Sequence, residues 1–249
     1  MMTDTLVVDV SRDWLFACDV QQRFMQGSDP SSGSLDYNAR CRQVHSLGGD
    51  CYDFAPLSEK RLALTIGDAS GHGLAAALMI ANVQSSLRTA ASFVGDDVAA
   101  ALDAVNRQVH ASSLTNQYAT LFHAIFDGST RTLRYVNAGH ISPIIIRPDG
   151  SMICLETCGA PIGMFPSSNY EERAVQLNPG DMVLACTDGV IEAANPAGEE
   201  WGVEGLRRAT VKCGAKHADE VVNAIFSSMD EFTRERQTDD ATVAVLRVQ

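Results

Sequence analysis

Four pairs of short apolar runs, each joined by a brief polar turn, restrict this chain more than any other feature. The paired runs are 50–57 with 61–68, 117–126 with 132–137, 143–147 with 151–155, and 172–177 with 182–187. Their turns read Ser58-Glu59-Lys60, Asp127-Gly128-Ser129-Thr130-Arg131, Pro148-Asp149-Gly150 and Asn178-Pro179-Gly180-Asp181. Gly, Pro, Asn and Asp favour tight turns, and two strands joined so closely pair antiparallel. Runs 35–44 and 240–248 add a first and a last strand, about ten in all. Helical patterns cover 74–91, 96–111, 203–210 and 217–233, and such helices must bury sheet faces. The expected fold is of the α/β (α+β) kind: two packed antiparallel β-sheets flanked by helices on both outer faces, an α-β-β-α sandwich.

Residues 9–25 read as an opening amphipathic helix, with Ser11 as N-cap and Trp14, Leu15, Cys18, Val20, Phe24 and Met25 as apolar positions. Residues 26–34 (Q-G-S-D-P-S-S-G-S) form a linker by composition. The chain therefore divides into a helix and linker at 1–33, a candidate regulatory or dimer element, and a domain at 34–249. Two placements of the helix stay open, on its own domain or on a second copy of the chain. With 19 Lys and Arg against 31 Asp and Glu, the net charge is −12. That argues against nucleic acid or an anionic membrane as the main partner, because both need a basic patch. No run approaches transmembrane length and no leader pattern opens the chain, so a cytoplasmic protein is expected. Seven scattered cysteines suit a reducing compartment. The close pair Cys154 and Cys158 lacks a second pair at zinc-ligand spacing and reads as buried small apolar residues.

The chemistry concentrates at strand ends. Residues 48–73 open with G-G-D-C-Y-D-F and close with G-D-A-S-G-H-G. They carry Asp50, Asp53 and Asp68 around the apolar run Leu62-Ala63-Leu64-Thr65-Ile66. Asp188 and the pair Asp239-Asp240 mark two more strand ends far along the chain. Gly49, Gly67 and Gly189 adjoin Asp50, Asp68 and Asp188, and glycine allows a close backbone approach. Clustered carboxylates beside bare backbone suit a hard cation such as Mg²⁺ or Mn²⁺; the plainer alternative is a set of acidic turns.

Taken in order, these stretches resemble the bacterial metal-dependent serine/threonine phosphatases of the PPM (protein phosphatase 2C-like) superfamily, in the sporulation stage II protein E-like, sigma-factor-regulator branch. The matching stretches are G-G-D-C-Y-D at 48–53, G-D-A-S-G-H-G at 67–73, Q-Y-A-T-L-F at 117–122, Y-V-N-A-G-H at 135–140 and G-A-P-I-G-M at 159–164. P-G-D-M-V-L-A-C-T-D-G-V-I-E-A at 179–193, G-E-E-W-G at 198–202 and T-D-D-A-T-V-A-V at 238–245 complete the set. The resemblance implies a protein phosphatase with two Mn²⁺ or Mg²⁺ ions. It implies that Asp68 bridges both ions, that the Ala69 carbonyl is a ligand of one, and that Asp188 and Asp239 are ligands of the other. Asp50 would hold the outer edge of the site, with Asp53 and Asp240 behind the ligands and His140 organising its loop. In much of the superfamily a histidine two residues after the bridging Asp is the proposed general acid. Here His72 stands four residues on, leaving it either that role or the capping of the next helix. Arg40 and Arg42 match the phosphate-binding arginine of animal relatives by position only. The substrate implied by the branch is a phosphorylated anti-anti-sigma factor of the STAS type. Two other readings are a non-catalytic interaction module on the same fold and a metallohydrolase of small phosphate esters.

Overall fold

The computed structural model describes residues 2–25, 35–95, 97–213 and 217–249. The expected linker at 26–34 and the helix start at Asp96 lie outside the described residues.

Ten strands form two five-stranded sheets, and every pairing between them is antiparallel. The first sheet runs in the order β1 (Leu35–Arg42), β10 (Ala241–Val248), β9 (Met182–Cys186), β6 (Ile144–Ile146), β7 (Met152–Cys154). The second runs β2 (Asp50–Ser58), β3 (Arg61–Ala69), β4 (Ala119–Asp127), β5 (Thr132–Ala138), β8 (Arg173–Gln176). Three of the four expected hairpins form. The fourth does not: β8 joins the edge of the second sheet while β9 joins the centre of the first. Burial explains the split. All five β9 residues are buried, as a strand covered on both faces requires, whereas β8 alternates half-buried and exposed. The turn at 178–181 thus crosses between sheets, held by the Gly180 N–H on the Val248 carbonyl at 2.8 Å.

Three apolar layers result. Tyr37, Phe54, Leu64, Phe122 and Leu246 interdigitate between the sheets. Helices α2 (Gly73–Val94) and α3 (Val98–Ser112) cover the outer face of the second sheet through Val83, Leu87, Leu102 and Val105. Helices α5 (Gly202–Cys213) and α6 (Ala218–Thr233) cover the first through Leu206, Ile225 and Phe226, against Val243 and Val245 of β10. The Asp97 carboxylate caps α3 by accepting the Ala100 N–H at 2.8 Å.

Helix α1 runs Met2–Phe24, so Ser11 lies inside it rather than at its N-cap. It packs on its own domain: Cys18 is buried with Leu47 and Ala77. Gln21 clamps Gly48, donating to its carbonyl at 2.7 Å and accepting its N–H at 3.2 Å. Arg40 and Arg42 turn away toward α6. Arg42 makes a two-point ion pair with Asp230 and Arg40 donates to Asn223, both over the Phe226 ring. Cys154 is exposed, contrary to the expected burial, because β7 is an edge strand, whereas Cys158 is half-buried and packs against the core.

The Phe122 ring is fully buried between the sheets, so Phe122→Ala is expected to cost about 3–5 kcal/mol. Urea unfolding measures it, and a loss within error of zero would contradict the described interior.

Candidate metal centre

Strand register gathers the acidic ends. Asp50 opens β2 opposite Asp68 near the end of β3. In the first sheet, Val243 pairs with Cys186, so the end of β9 meets the start of β10. Thr187 then caps the short helix α4 (Asp188–Ile191), and Asp188 is its first residue. Asp239 and Asp240 lead directly into β10. Packing the sheets face to face brings these ends together around a cavity of about 510 Å³. Asp68, Asp188, Asp239 and Asp240 line it with Ala69, Tyr118 and Thr120, and among the described residues no Lys or Arg does.

Asp50 sits behind this wall rather than at its edge. It is 1 % exposed, and its Oδ2 accepts both the Thr187 hydroxyl at 2.8 Å and the Thr242 hydroxyl at 2.6 Å. Thr187 Oγ1 in turn accepts the Thr242 N–H at 2.9 Å. A carboxylate of the second sheet is thereby fastened to β10 and to the residue that follows β9 in the first. Asp240 is also committed to the frame. Its two oxygens accept the Val44 and Gly49 N–H groups at 2.8 and 2.9 Å, holding the loop between β1 and β2. The neighbouring glycines are spacing requirements of this frame. A Cβ on Gly48 would lie 2.2 Å from Asp240 Oδ2, and one on Gly189 would lie 2.0 Å from the Asp240 carbonyl oxygen.

Burial, and then the neighbouring carboxylates, raise Asp68 well above the ordinary carboxylate range. Burial also raises Asp50, against the hydrogen bonds from Thr242 and Thr187. Asp188 is raised by burial and by Asp239. Among the described residues no three of the acidic, His or Cys side chains meet at a single coordination point. They share a wall, their donors are oxygens, and no Lys or Arg among the described lining residues offsets their charge. That donor chemistry fits a hard divalent cation.

Asp53 lies away from the cavity, and His140 is tied into its own loop. Asp53 points to α2 and forms a two-point ion pair with Arg88, both bonds at 2.7 Å. Residues 50 and 53 have opposite parity on a strand, which sends their side chains to opposite faces. His140 is buried, its Nδ1 bonded to the Thr120 hydroxyl at 2.8 Å and its backbone N–H to Asn137 Oδ1 at 2.8 Å. Burial holds its pKa down at about 4. His72 occupies the N-cap position of α2, but its ring makes no capping bond. It lines the cavity mouth, 6.4 Å between ring centres from His45. Sequence reading had passed over His45, Thr187, Thr242 and Tyr118. The threonines carried a readable signal, since each directly adjoins or nearly adjoins a motif aspartate; His45 carried none.

The two-sheet sandwich is that of PP2C-type phosphatase domains. The SiaA-PP2C domain of Pseudomonas aeruginosa superposes with a TM-score of 0.83 at 22 % identity, over 98 % of this chain and 99 % of that one. The family model of Stage II sporulation protein E (SpoIIE) matches residues 58–249, and the chain belongs to that family. The phosphoserine phosphatase RsbU of Bacillus subtilis (strain 168) is 25 % identical over 232 residues, 93 % of this chain and 68 % of RsbU. Protein IcfG of Synechocystis sp. (strain ATCC 27184 / PCC 6803 / Kazusa) is 32 % identical over 213 residues, 75 % of this chain. The chain matches only 34 % of IcfG's length. Among the described residues no helix is long and apolar enough to cross a membrane.

Two outcomes follow from this geometry. A carboxyl whose folded pKa is raised favours the folded state when protonated, and that stability is lost as pH rises from the unfolded value of about 4. The metal-free protein should therefore melt at a lower temperature at about pH 8 than at about pH 5.5. Asp68→Asn should flatten the dependence, and an identical slope in that variant would contradict the burial of Asp68. Separately, Gly189→Ala forces the Asp240 backbone aside. Calorimetry should show Mn²⁺ affinity down about tenfold or more; unaltered affinity would show that the turn has room to spare.

Proposed function

We propose that the chain is a metal-dependent protein serine/threonine phosphatase. The observation that carries this is the set of carboxylates from both sheets on one cavity with no Lys or Arg among its described lining residues. In this reading Asp68, Asp188 and Asp239 hold two Mn²⁺ or Mg²⁺ ions, with the Ala69 carbonyl as a further ligand. Divalent cations bound there would neutralise phosphoryl oxygens and lower the pKa of an attacking water. The protein's own part is positional. Asp50, fixed by Thr187 and Thr242, braces the strand end that carries Asp68. Asp240 keeps the 44–49 loop against the cavity. Water attacks phosphorus in line, the bond from phosphorus to the serine oxygen breaks, and that oxygen takes up a proton. His72, exposed at the mouth, is the proton donor in this reading, and no covalent phospho-enzyme is formed.

The substrate follows from kinship with RsbU, a phosphoserine phosphatase, and from the branch the motifs resemble. It is a phosphoserine or phosphothreonine on a STAS-type anti-anti-sigma protein in a partner-switching pathway.

Hydrolysis of p-nitrophenyl phosphate and of a phosphoserine protein with added Mn²⁺ tests the activity. Asp68→Asn and Asp188→Asn should each lower both rates by at least about a hundredfold, the upper range for disturbing the surroundings of a metal. An undiminished rate in either variant would sink the site assignment. A folded, metal-loaded protein that turns over neither substrate would instead be an interaction module. Turnover of free phosphate esters alone would mark a small-molecule hydrolase.

A further inference from the structure

A second cavity of about 390 Å³ adjoins the acidic one, and Tyr118 lines both. One wall is the turn after α3, including Leu114, Asn116 and Gln117; the other is the loop at Gly163 and Met164. Both walls are held from behind. Asn106, fully buried, accepts the Gly163 N–H at 2.8 Å and donates to the Phe165 carbonyl at 3.1 Å. His110, itself part of the lining, bonds the Gly163 carbonyl through Nδ1 at 2.9 Å. Ala119 and Ile162 exchange two backbone bonds beneath them, at 2.9 and 2.7 Å. Gly163 needs its positive φ of 83°, and a Cβ there would lie 2.9 Å from Val109. In the opposite wall the Leu114 N–H bonds Gln117 Oε1 at 3.1 Å, and the Gln117 N–H returns to the Leu114 carbonyl at 3.1 Å.

The chemistry of the two cavities differs. The catalytic one is acidic, whereas the second has no Lys, Arg, Asp or Glu among its described lining residues. Leu114 is 76 % exposed at its rim and Phe165 is 50 % exposed beside it. Single exposed apolar residues are ordinary on a protein surface, but these two stand beside a groove that shares Tyr118 with the acidic cavity. A phosphoserine seated in the acidic cavity carries a chain on either side, and an extended chain advances about 3.3 Å per residue.

We propose that this groove receives the substrate segment next to the phosphorylated residue, and that it selects uncharged segments with an apolar side chain against Leu114 and Met164. The proposal rests on the phosphatase reading above. Tyr118 forms the partition between the group that reacts and the residues that are recognised. Acidic neighbours of the phosphoserine are disfavoured because no Lys or Arg among the described lining residues of the groove can pair with them.

The test compares p-nitrophenyl phosphate with two synthetic phosphoserine peptides, one with leucine and threonine flanks and one with glutamate flanks, all with Mn²⁺. The unmodified chain should prefer the apolar peptide over the acidic one by about tenfold in kcat/KM. Leu114→Asp, at an exposed position, and Met164→Ala should lower kcat/KM for the apolar peptide about tenfold more than for p-nitrophenyl phosphate. The loss should fall on KM. Melting temperatures control for folding. If all substrates are hydrolysed but the peptide-to-ester ratio is the same in both variants, the groove is overturned and the phosphatase stands. If the unmodified chain hydrolyses none of them, both fall.

Discussion

One buried carboxylate joins the two halves of this molecule. Asp50 begins a strand of the second sheet, yet its Oδ2 is bonded by the hydroxyl of Thr242 in β10 and that of Thr187 just past β9, both belonging to the first. Face-to-face sheets are otherwise held by apolar side chains, which fix separation well and lateral position poorly. Hydrogen bonds are directional, and a buried acceptor left unpaired costs several times what a paired one contributes. The Asp50 contact therefore sets how the sheets register at this end. Asp68, Asp188 and Asp239 stand at or just beyond strand ends whose separation depends on that register.

The arrangement opposes stability and function in one place. Crowding carboxylates in a partly buried cavity raises their pKa values and costs folding free energy. The frame that tolerates this is made of backbone. Asp240 is bonded to two N–H groups, and Gly48 and Gly189 leave only enough room for its side chain and carbonyl. The glycines beside the aspartates thus serve packing within the frame, where sequence reading had them opening backbone to a ligand.

The sandwich was legible because pairing signals are local: turn residues and alternation are properties of adjacent positions. The single wrong hairpin shows the limit. The 178–181 turn has every local mark of a reversal, but whether its strands pair is settled by the burial of β9 against β10 and α6, which is not local. The acidic positions were legible as strand-end motifs, and their convergence was legible only through resemblance. Asp53 was misassigned to the site's surroundings because proximity in sequence says nothing about Arg88, 35 residues on. The thiol pair failed similarly: Cys154 lies on an edge strand, and edges cannot be told from centres without the sheet order. His45 entered the cavity through a loop whose course depends on Asp240, almost two hundred residues away.

The place of β10 has a consequence for how the molecule comes into being. It follows every other strand in the chain, yet it lies between β1 and β9 and carries Asp239 and Asp240 at its entrance. As the chain leaves the ribosome, the second sheet has all its strands once Gln176 is made, while the first still lacks the strand that joins β1 to β9. Until the final strand inserts, β1 lacks its in-sheet neighbour and the acidic cavity lacks one wall. Assembly is thus ordered in time: of the described strands, the one made last is the one that completes the acidic cavity.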